Sequence, residues 1–327
     1  MILEVNVKEN YQLEWKERLD KLKSMHKDIA DYCQGKKLAY LDIPMHFNVG
    51  DLLIYAGTEQ FIRDYSLNVT YRGFDSGIDH KELRKVDIIL IHGGGNFGDL
   101  YPRHQIFKEE IVTKYPDKKI IFLPQTIYFK NNEEKVRSAS IFQKHNDLHI
   151  FVRDDRSLEL AKEFSNSCNM MPDMAHSLHP LIDYSEVENI NIDKFKILNL
   201  RRIDIENVSL ETDISKKTFD WDHLITNEDK THLRLSSKLN LIPFLRKKIL
   251  NKWHRRADVL IFRSINFFYQ FNVVYTDRLH GAILAYLLGK NIKLIDNSYG
   301  KNTGYYTNWL DDKFLIKNIS INKNEKN

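Results

Sequence analysis

The stretch that most restricts the fold is Val86-Asp87-Ile88-Ile89-Leu90-Ile91-His92, which runs directly into Gly93-Gly94-Gly95-Asn96-Phe97-Gly98-Asp99. An almost unbroken apolar run of this length suits a strand buried on both faces, and such strands belong to parallel sheets covered by helices. The three glycines behind it predict a loop whose backbone can take positive φ angles and approach a ligand closely. Their spacing is neither that of a Walker loop nor that of a dinucleotide fingerprint. The same order of strand, loop and helix recurs along the chain. It is found at Leu38–Ile43 before His46-Phe47-Asn48-Val49-Gly50-Asp51, at Lys119–Leu123 before Pro124-Gln125-Thr126, and at Leu148–Val152 before Arg153-Asp154-Asp155. This rhythm predicts βαβ units.

A second series starts at Ile197-Leu198-Asn199-Leu200, which ends in Arg201-Arg202. It continues at Val273-Val274-Tyr275-Thr276, where Asp277 is a predicted helix cap and Arg278 and His280 fall in the first helical turn. The strand Asn291–Ile295 follows, with Lys301 and Asn302 in the loop behind it. A chain of 327 residues is long enough for two domains. The expected class is α/β, with two Rossmann-like domains facing a cleft in a glycosyltransferase-B-like arrangement. Residues 1–184 form the first domain, opened by an amphipathic helix with Trp15, Leu19, Leu22, Met25, Ile29 and Tyr32 on its inner face. Residues 185–196 are polar and read as a linker. Residues 197–327 form the second domain, with a basic insertion at about 230–257.

Composition matters chiefly for location and partners. No apolar run reaches the ~20 residues of a membrane span, and Met1–Asn10 lacks the order of a signal peptide, so a cytoplasmic protein is expected. Cys33 and Cys168 stand alone, and no His, Cys or Asp cluster has ligand spacing, so no metal is expected. The net charge of +4 is concentrated: nine Lys/Arg and no Asp/Glu lie between Lys230 and Ala257. Within this segment Ile242, Leu245, Ile249 and Trp253 recur at helical spacing behind Pro243, and Arg246, Lys247, Lys248, Lys252, Arg255 and Arg256 share the remaining surface. That is the pattern of an interfacial helix, and it predicts peripheral attachment of 242–256 to an anionic membrane. Packing of the stripe on the second domain is the competing expectation. No nucleic-acid module is recognisable, so no nucleic-acid partner is expected.

Asn48, Asp51, Asn96, Arg153, Arg202, Arg278, His280, Lys301 and Asn302 all fall at or just beyond predicted strand ends, where α/β proteins bind ligands. Asp51 also suits a helix cap, and Arg153 an ion pair with Asp154 or Asp173. The ordered set Asn-x-Gly-Asp at 48–51, Gly-Gly-Gly-Asn-Phe-Gly-Asp at 93–99, Pro-Gln-Thr at 124–126, Arg-Asp at 153–154, Pro-Asp at 172–173, Arg-x-Asp-x-Glu at 202–206 and Thr-Asp-Arg-Leu-His-Gly at 276–281 resembles the polysaccharide pyruvyl transferase family. The likeness spans about residues 37–310 and is poor between roughly 207 and 270.

The resemblance implies transfer of the pyruvyl group of phosphoenolpyruvate to two hydroxyls of a sugar, in a surface polysaccharide or its lipid-linked precursor. A ketal forms and phosphate leaves. Phosphoenolpyruvate is then a substrate, and no cofactor is required. The implied roles are His280 as acid and Asp51 as base. Arg278, Arg202, Lys301 and Asn302 would hold the donor, and Asn48, Asn96 and Arg153 the acceptor. The competing expectations are a nucleotide-sugar glycosyltransferase on the same fold and a non-catalytic sugar-binding relative.

Overall fold

The structure, a computed structural model, describes residues 2–181, 196–201, 218–294 and 301–310. The chain forms two compact units, residues 1–179 with 221–264 and residues 180–220 with 265–327. In chain order the first unit holds α1 (Ile2–Met25), α2 (Lys27–Cys33), β1 (Leu38–Leu41), α3 (Val49–Asp64), β2 (Val69–Arg72), α4 (His80–Arg84) and β3 (Ile88–Ile91). These are followed by β4 (Gly94–Gly98), α5 (Pro102–Lys114), β5 (Lys119–Tyr128), α6 (Asn132–Phe142), β6 (Leu148–Val152), α7 (Asp155–Ala161) and β7 (Ser167–Met170). The chain continues through β8 (Ile197–Leu200), α8 (Asn227–Leu239), α9 (Arg246–Tyr269), β9 (Val273–Thr276), α10 (Leu279–Leu287), β10 (Asn291–Leu294) and α11 (Lys301–Trp309).

The first unit is built on a seven-stranded sheet in the order β2-β1-β3-β5-β6-β7, with β4 also paired to β5. Every pairing is parallel. Strands β1 and β3 and the interior of β5 are buried, as the apolar runs require. Because β1 lies between β2 and β3, the direction in which strands are added reverses beside β1. The crevice beyond the carboxyl ends of β1 and β3 is therefore a topological switch point. In the second unit, β8, β9 and β10 form a three-stranded parallel sheet with β9 in the middle.

The glycine stretch differs from expectation. Instead of forming a ligand-binding loop, Gly94–Gly98 is a strand, with Gly94 opposite Gln125 and Gly98 opposite Tyr128. Pro124-Gln125-Thr126 likewise continues β5, and Pro124 falls where the register shifts between Phe122 and Gln125, so its missing N–H interrupts no regular ladder. Gly93 and Gly98 are explained by backbone approach, the first to the Pro124 carbonyl. A Cβ on Gly98 would lie 1.7 Å from the Tyr128 carbonyl oxygen, and its φ is +131°. Gly98→Ala should therefore destabilise the first unit by roughly 3 kcal/mol, combining overpacking with a left-handed backbone. Thermal unfolding checks this, and an unchanged midpoint would contradict it.

Two further expectations are revised. The leading amphipathic helix breaks at His26, whose buried ring bonds Ser177 Oγ at 2.7 Å and the Pro172 carbonyl at 3.1 Å. Trp15, Leu19, Leu22 and Ile29 face the core as expected, whereas Tyr32 is exposed. The basic segment, expected as an insertion in the second domain, belongs with the first unit. Its stripe is what binds it there: Ile249 and Trp253 are buried, and the Trp253 indole N–H donates to the Pro44 carbonyl at 2.6 Å. Arg256 is also withdrawn from the basic surface, because it bonds Asp229 and Glu228, each at 2.8 Å. No described helix is long and apolar enough to cross a membrane.

Candidate functional site

In the first unit the switch point is lined by the residues that end β1 and β3. Asp42 follows β1 with φ +62°, a left-handed conformation uncommon outside glycine and best tolerated by Asp and Asn. Its carboxylate is wholly buried and holds three groups. His104 Nδ1 lies 2.8 Å from Oδ1, while Lys108 Nζ and Asn96 Nδ2 lie 3.1 and 3.3 Å from Oδ2. Burial alone would push Asp42 upward, but the Lys108 ammonium and His104 outweigh it and hold the carboxyl below its usual range. Lys108, also wholly buried, donates to Asn96 Oδ1 at 2.8 Å. Asn96 is thus clamped at both ends of its amide.

His92 follows β3 and is tied to β1 by its backbone N–H, which donates to the Leu41 carbonyl at 3.0 Å. Its Nδ1 lies 2.6 Å from the Tyr40 hydroxyl, whereas the buried Nε2 has no hydrogen-bond partner. Burial lowers its pKa to about 4, against the nearby carboxylates of Asp51 and Asp42. His26 is likewise lowered to about 4, and His176 to about 3, mainly by burial. These three rings stay neutral in the folded state while their unfolded counterparts titrate near 6.5. Their contribution to stability should be complete above pH 6.5 and be lost as the pH falls through about 4. A denaturant series across this window should show stability falling with each step toward acid. A flat profile would mean that these rings protonate without cost.

Asp51 stands at the third position of α3. Asn48 is the cap of that helix: its Oδ1 accepts from the Gly50 N–H at 3.1 Å, and its Nδ2 donates to Asp51 Oδ2 at 2.9 Å. Capping is therefore done by Asn48, and Asp51 keeps a carboxylate whose side chain is 25% exposed, with His46 Nε2 at 3.6 Å. A Cβ on Gly94 would come within 3.5 Å of Asp51 Oδ1, which places the carboxylate over the β3–β4 junction. Asn48, Asp51 and His92 accordingly gather at the carboxyl edge of the sheet, with Asp42 and Asn96 beside them. Such a set can orient hydroxyls and accept a proton.

Arg153, the third expected acceptor contact, has a different place. It is wholly buried, donates to Thr126 Oγ1 at 2.9 Å and forms an ion pair with Asp173. Asp173 in turn caps the 3-10 turn Met174–Leu178, accepting from the Ala175 N–H at 2.9 Å. With no exposed surface, Arg153 acts inside the fold, whereas Asn48 is exposed and Asn96 partly exposed.

In the second unit the expected cap is displaced by one residue. Arg278 occupies the cap position of α10, its N–H donating to Thr276 Oγ1 at 3.0 Å, while Asp277 pairs with Arg201 Nε at 3.2 Å. The Arg278 guanidinium is held in a two-point contact by the buried Asp220, with Nη2 2.6 Å from Oδ2 and Nε 2.5 Å from Oδ1. His280 is half-buried in the first turn of α10, where helix N–H groups and the dipole favour an anion. Gly281 lets this helix close on the sheet, since a Cβ there would lie 2.5 Å from Leu200 Cδ2. Arg202 and the side chains of Lys301 and Asn302 lie outside the described residues. Among the described residues, no group of three His, Cys, Asp or Glu side chains could hold a metal ion.

Sequence reasoning missed Asp42, His92, His104, Lys108, Arg201 and Asp220. Only the four-residue spacing of His104 and Lys108 on α5 could have suggested that they share one partner.

Comparison with known proteins gives a family. The chain is 38% identical over 291 residues to the "Putative pyruvyl transferase EpsO" of Bacillus subtilis (strain 168), covering 84% of this chain and 86% of that protein. It is 28% identical over 289 residues to "Pyruvyl transferase 1" of Schizosaccharomyces pombe, covering 84% and 70% respectively. A crystal structure of an uncharacterized protein from Klebsiella pneumoniae shares the fold at 23% identity, with a TM-score of 0.56 over 91% of this chain and 98% of that one. The Polysaccharide pyruvyl transferase profile matches residues 48–299, a span that includes Asn48, Asp51, Arg278 and His280, and the chain belongs to that family.

Proposed function

We propose that the protein transfers the pyruvyl group of phosphoenolpyruvate to two hydroxyls of one sugar, in a surface polysaccharide or its lipid-linked precursor. The observation that carries this reading is the start of α10, where a guanidinium fixed by Asp220 stands two residues before a half-buried imidazole at a helix N-terminus. A donor carrying both phosphate and carboxylate suits such a place. Arg278 and Arg202 hold it, with Lys301 and Asn302 assisting. The labour is divided between the units, in a glycosyltransferase-B-like arrangement, with acceptor groups on the first and donor groups on the second.

His280 gives a proton to the methylene carbon, which becomes the methyl group and leaves an oxocarbenium at the adjacent carbon. One sugar hydroxyl adds there as its proton passes to Asp51. Phosphate then departs, and the second hydroxyl adds to close the ketal. Of the two hydroxyl protons lost, one replaces that given to the methylene and one leaves with phosphate.

His280→Ala should lower turnover by roughly 10²- to 10⁴-fold, the usual range for a general acid, with phosphoenolpyruvate binding largely kept. Arg278→Ala should lose both. Calorimetric titration of the donor alongside turnover separates the two, and near-wild-type turnover in the His280 variant would remove it as the acid. A nucleotide-sugar glycosyltransferase would behave differently from the outset. It would release nucleotide from a panel of nucleotide sugars and no phosphate from phosphoenolpyruvate.

A further inference from the structure

The buried stripe of α9 leaves an unexplained surface on its other side. Ile249, Trp253, Ala257, Leu260 and Ser264 face the protein interior. Lys248, Lys252, Arg255, Val259 and Phe262 recur at spacings of four, three, four and three, and all five are exposed. Phe262 is 63% exposed. Just ahead of the helix, the turn through Pro243–Leu245 carries Leu241, Ile242 and Phe244, and Phe244, at 82%, is the most exposed large apolar side chain among the described residues. Apolar groups thus stand at both ends of a line of cations, with Lys247 alongside and Asp258 as the acid on the flank. From residue 244 to 262 a helix would span about 27 Å at ~1.5 Å per residue.

We propose that the turn at 241–245 and this outer face of α9 form a docking surface for an anionic lipid bilayer, with α9 lying in the plane of the interface. Charge decides among possible occupants. A second copy seated on the same patch would set Lys247, Lys248, Lys252 and Arg255 against their own kind. An anionic leaflet satisfies the cations while its acyl boundary takes Phe244, Leu241 and Phe262. The apolar contacts are therefore not Ile249 and Trp253, the part of the stripe that the first unit buries, but Leu241, Phe244 and Phe262, which lie outside it.

Docking would also orient a cavity. Leu241 belongs both to the exposed turn and to the lining of a cavity of about 440 Å³ in the first unit, together with Met45, His46, Asp75, Arg103 and His104. Its mouth would lie at headgroup level, within reach of a saccharide carried on a lipid. That consequence rests on the proposed function; the docking itself does not.

Flotation of the full chain tests the surface, with vesicles of phosphatidylcholine alone and of phosphatidylcholine with phosphatidylglycerol. Binding is expected to the anionic vesicles only, and to weaken as salt is raised. Phe244→Asp, and separately the triple change Lys247→Glu, Lys248→Glu and Lys252→Glu, should each reduce it by about tenfold or more. These side chains are exposed, so unfolding midpoints should not move, and turnover on a soluble acceptor should be kept. No binding to anionic vesicles at low salt overturns the proposal, as does undiminished binding of either variant. Lipid-free dimerisation abolished by Phe244→Asp would assign the surface to a second copy instead.

Discussion

Asp51→Asn should lower turnover by roughly 10²- to 10⁴-fold, corresponding to the loss of a positioned general base. The substitution is chosen for what it preserves. Asn48 provides the cap of α3, so the helix does not depend on the Asp51 carboxylate, and an amide there still accepts the 2.9 Å hydrogen bond from Asn48 Nδ2. The unfolding midpoint should accordingly stay close to that of the parent protein. Turnover and melting, measured on the same preparation, separate chemistry from structure. A large fall in melting temperature with unchanged turnover would return Asp51 to a structural role.

Asp42→Asn should have the opposite signature, a loss of stability of roughly 3–5 kcal/mol from removing one partner of a buried ion pair. Asn tolerates the left-handed backbone at this position, so the change isolates the charge. Lys108 would then be wholly buried with no carboxylate beside it, its hydrogen bonds going to Asn96. Adding Lys108→Met to the same chain should recover part of the loss, because an apolar side chain of similar volume carries no desolvation penalty. Chemical denaturation of the two single variants and the double variant gives the coupling directly. If the single variant were as stable as the parent, the Asp42–Lys108 pair would not be the anchor of the switch point.

The contrast between these two residues shows what the sequence could reveal. Asp51 was legible because it follows an apolar strand and opens a helix, and both signals are local in the chain. Asp42 was not. It lies inside the same apolar strand signal, and its partners stand at positions 96, 104 and 108, brought to it only by the parallel pairing of β1 with β3 and the packing of α5. The glycine stretch shows the reverse failure. The glycines suggest freedom for a ligand, yet at Gly93 and Gly98 β5 takes up the freedom, since the Pro124 and Tyr128 carbonyls occupy the space that side chains there would need. The basic segment failed on placement: its periodicity was correct, but nothing local could say that Trp253 would find Pro44, 209 residues earlier. At the start of α10 the cap was misread by one residue. Asp277 has the chemistry of a cap, but Arg201 claims its carboxylate, a long-range contact that spacing cannot show.

The destination of the pyruvyl group is the most direct readout of the proposed reaction. Mass spectrometry of the surface polysaccharide, from host cells with and without this protein, detects that product whichever sugar accepts it. A pyruvyl ketal present with the wild-type chain, absent without it, and absent again when the chain carries both Asp51→Asn and His280→Ala is the predicted result. Ketal content that is the same in all three samples would contradict it.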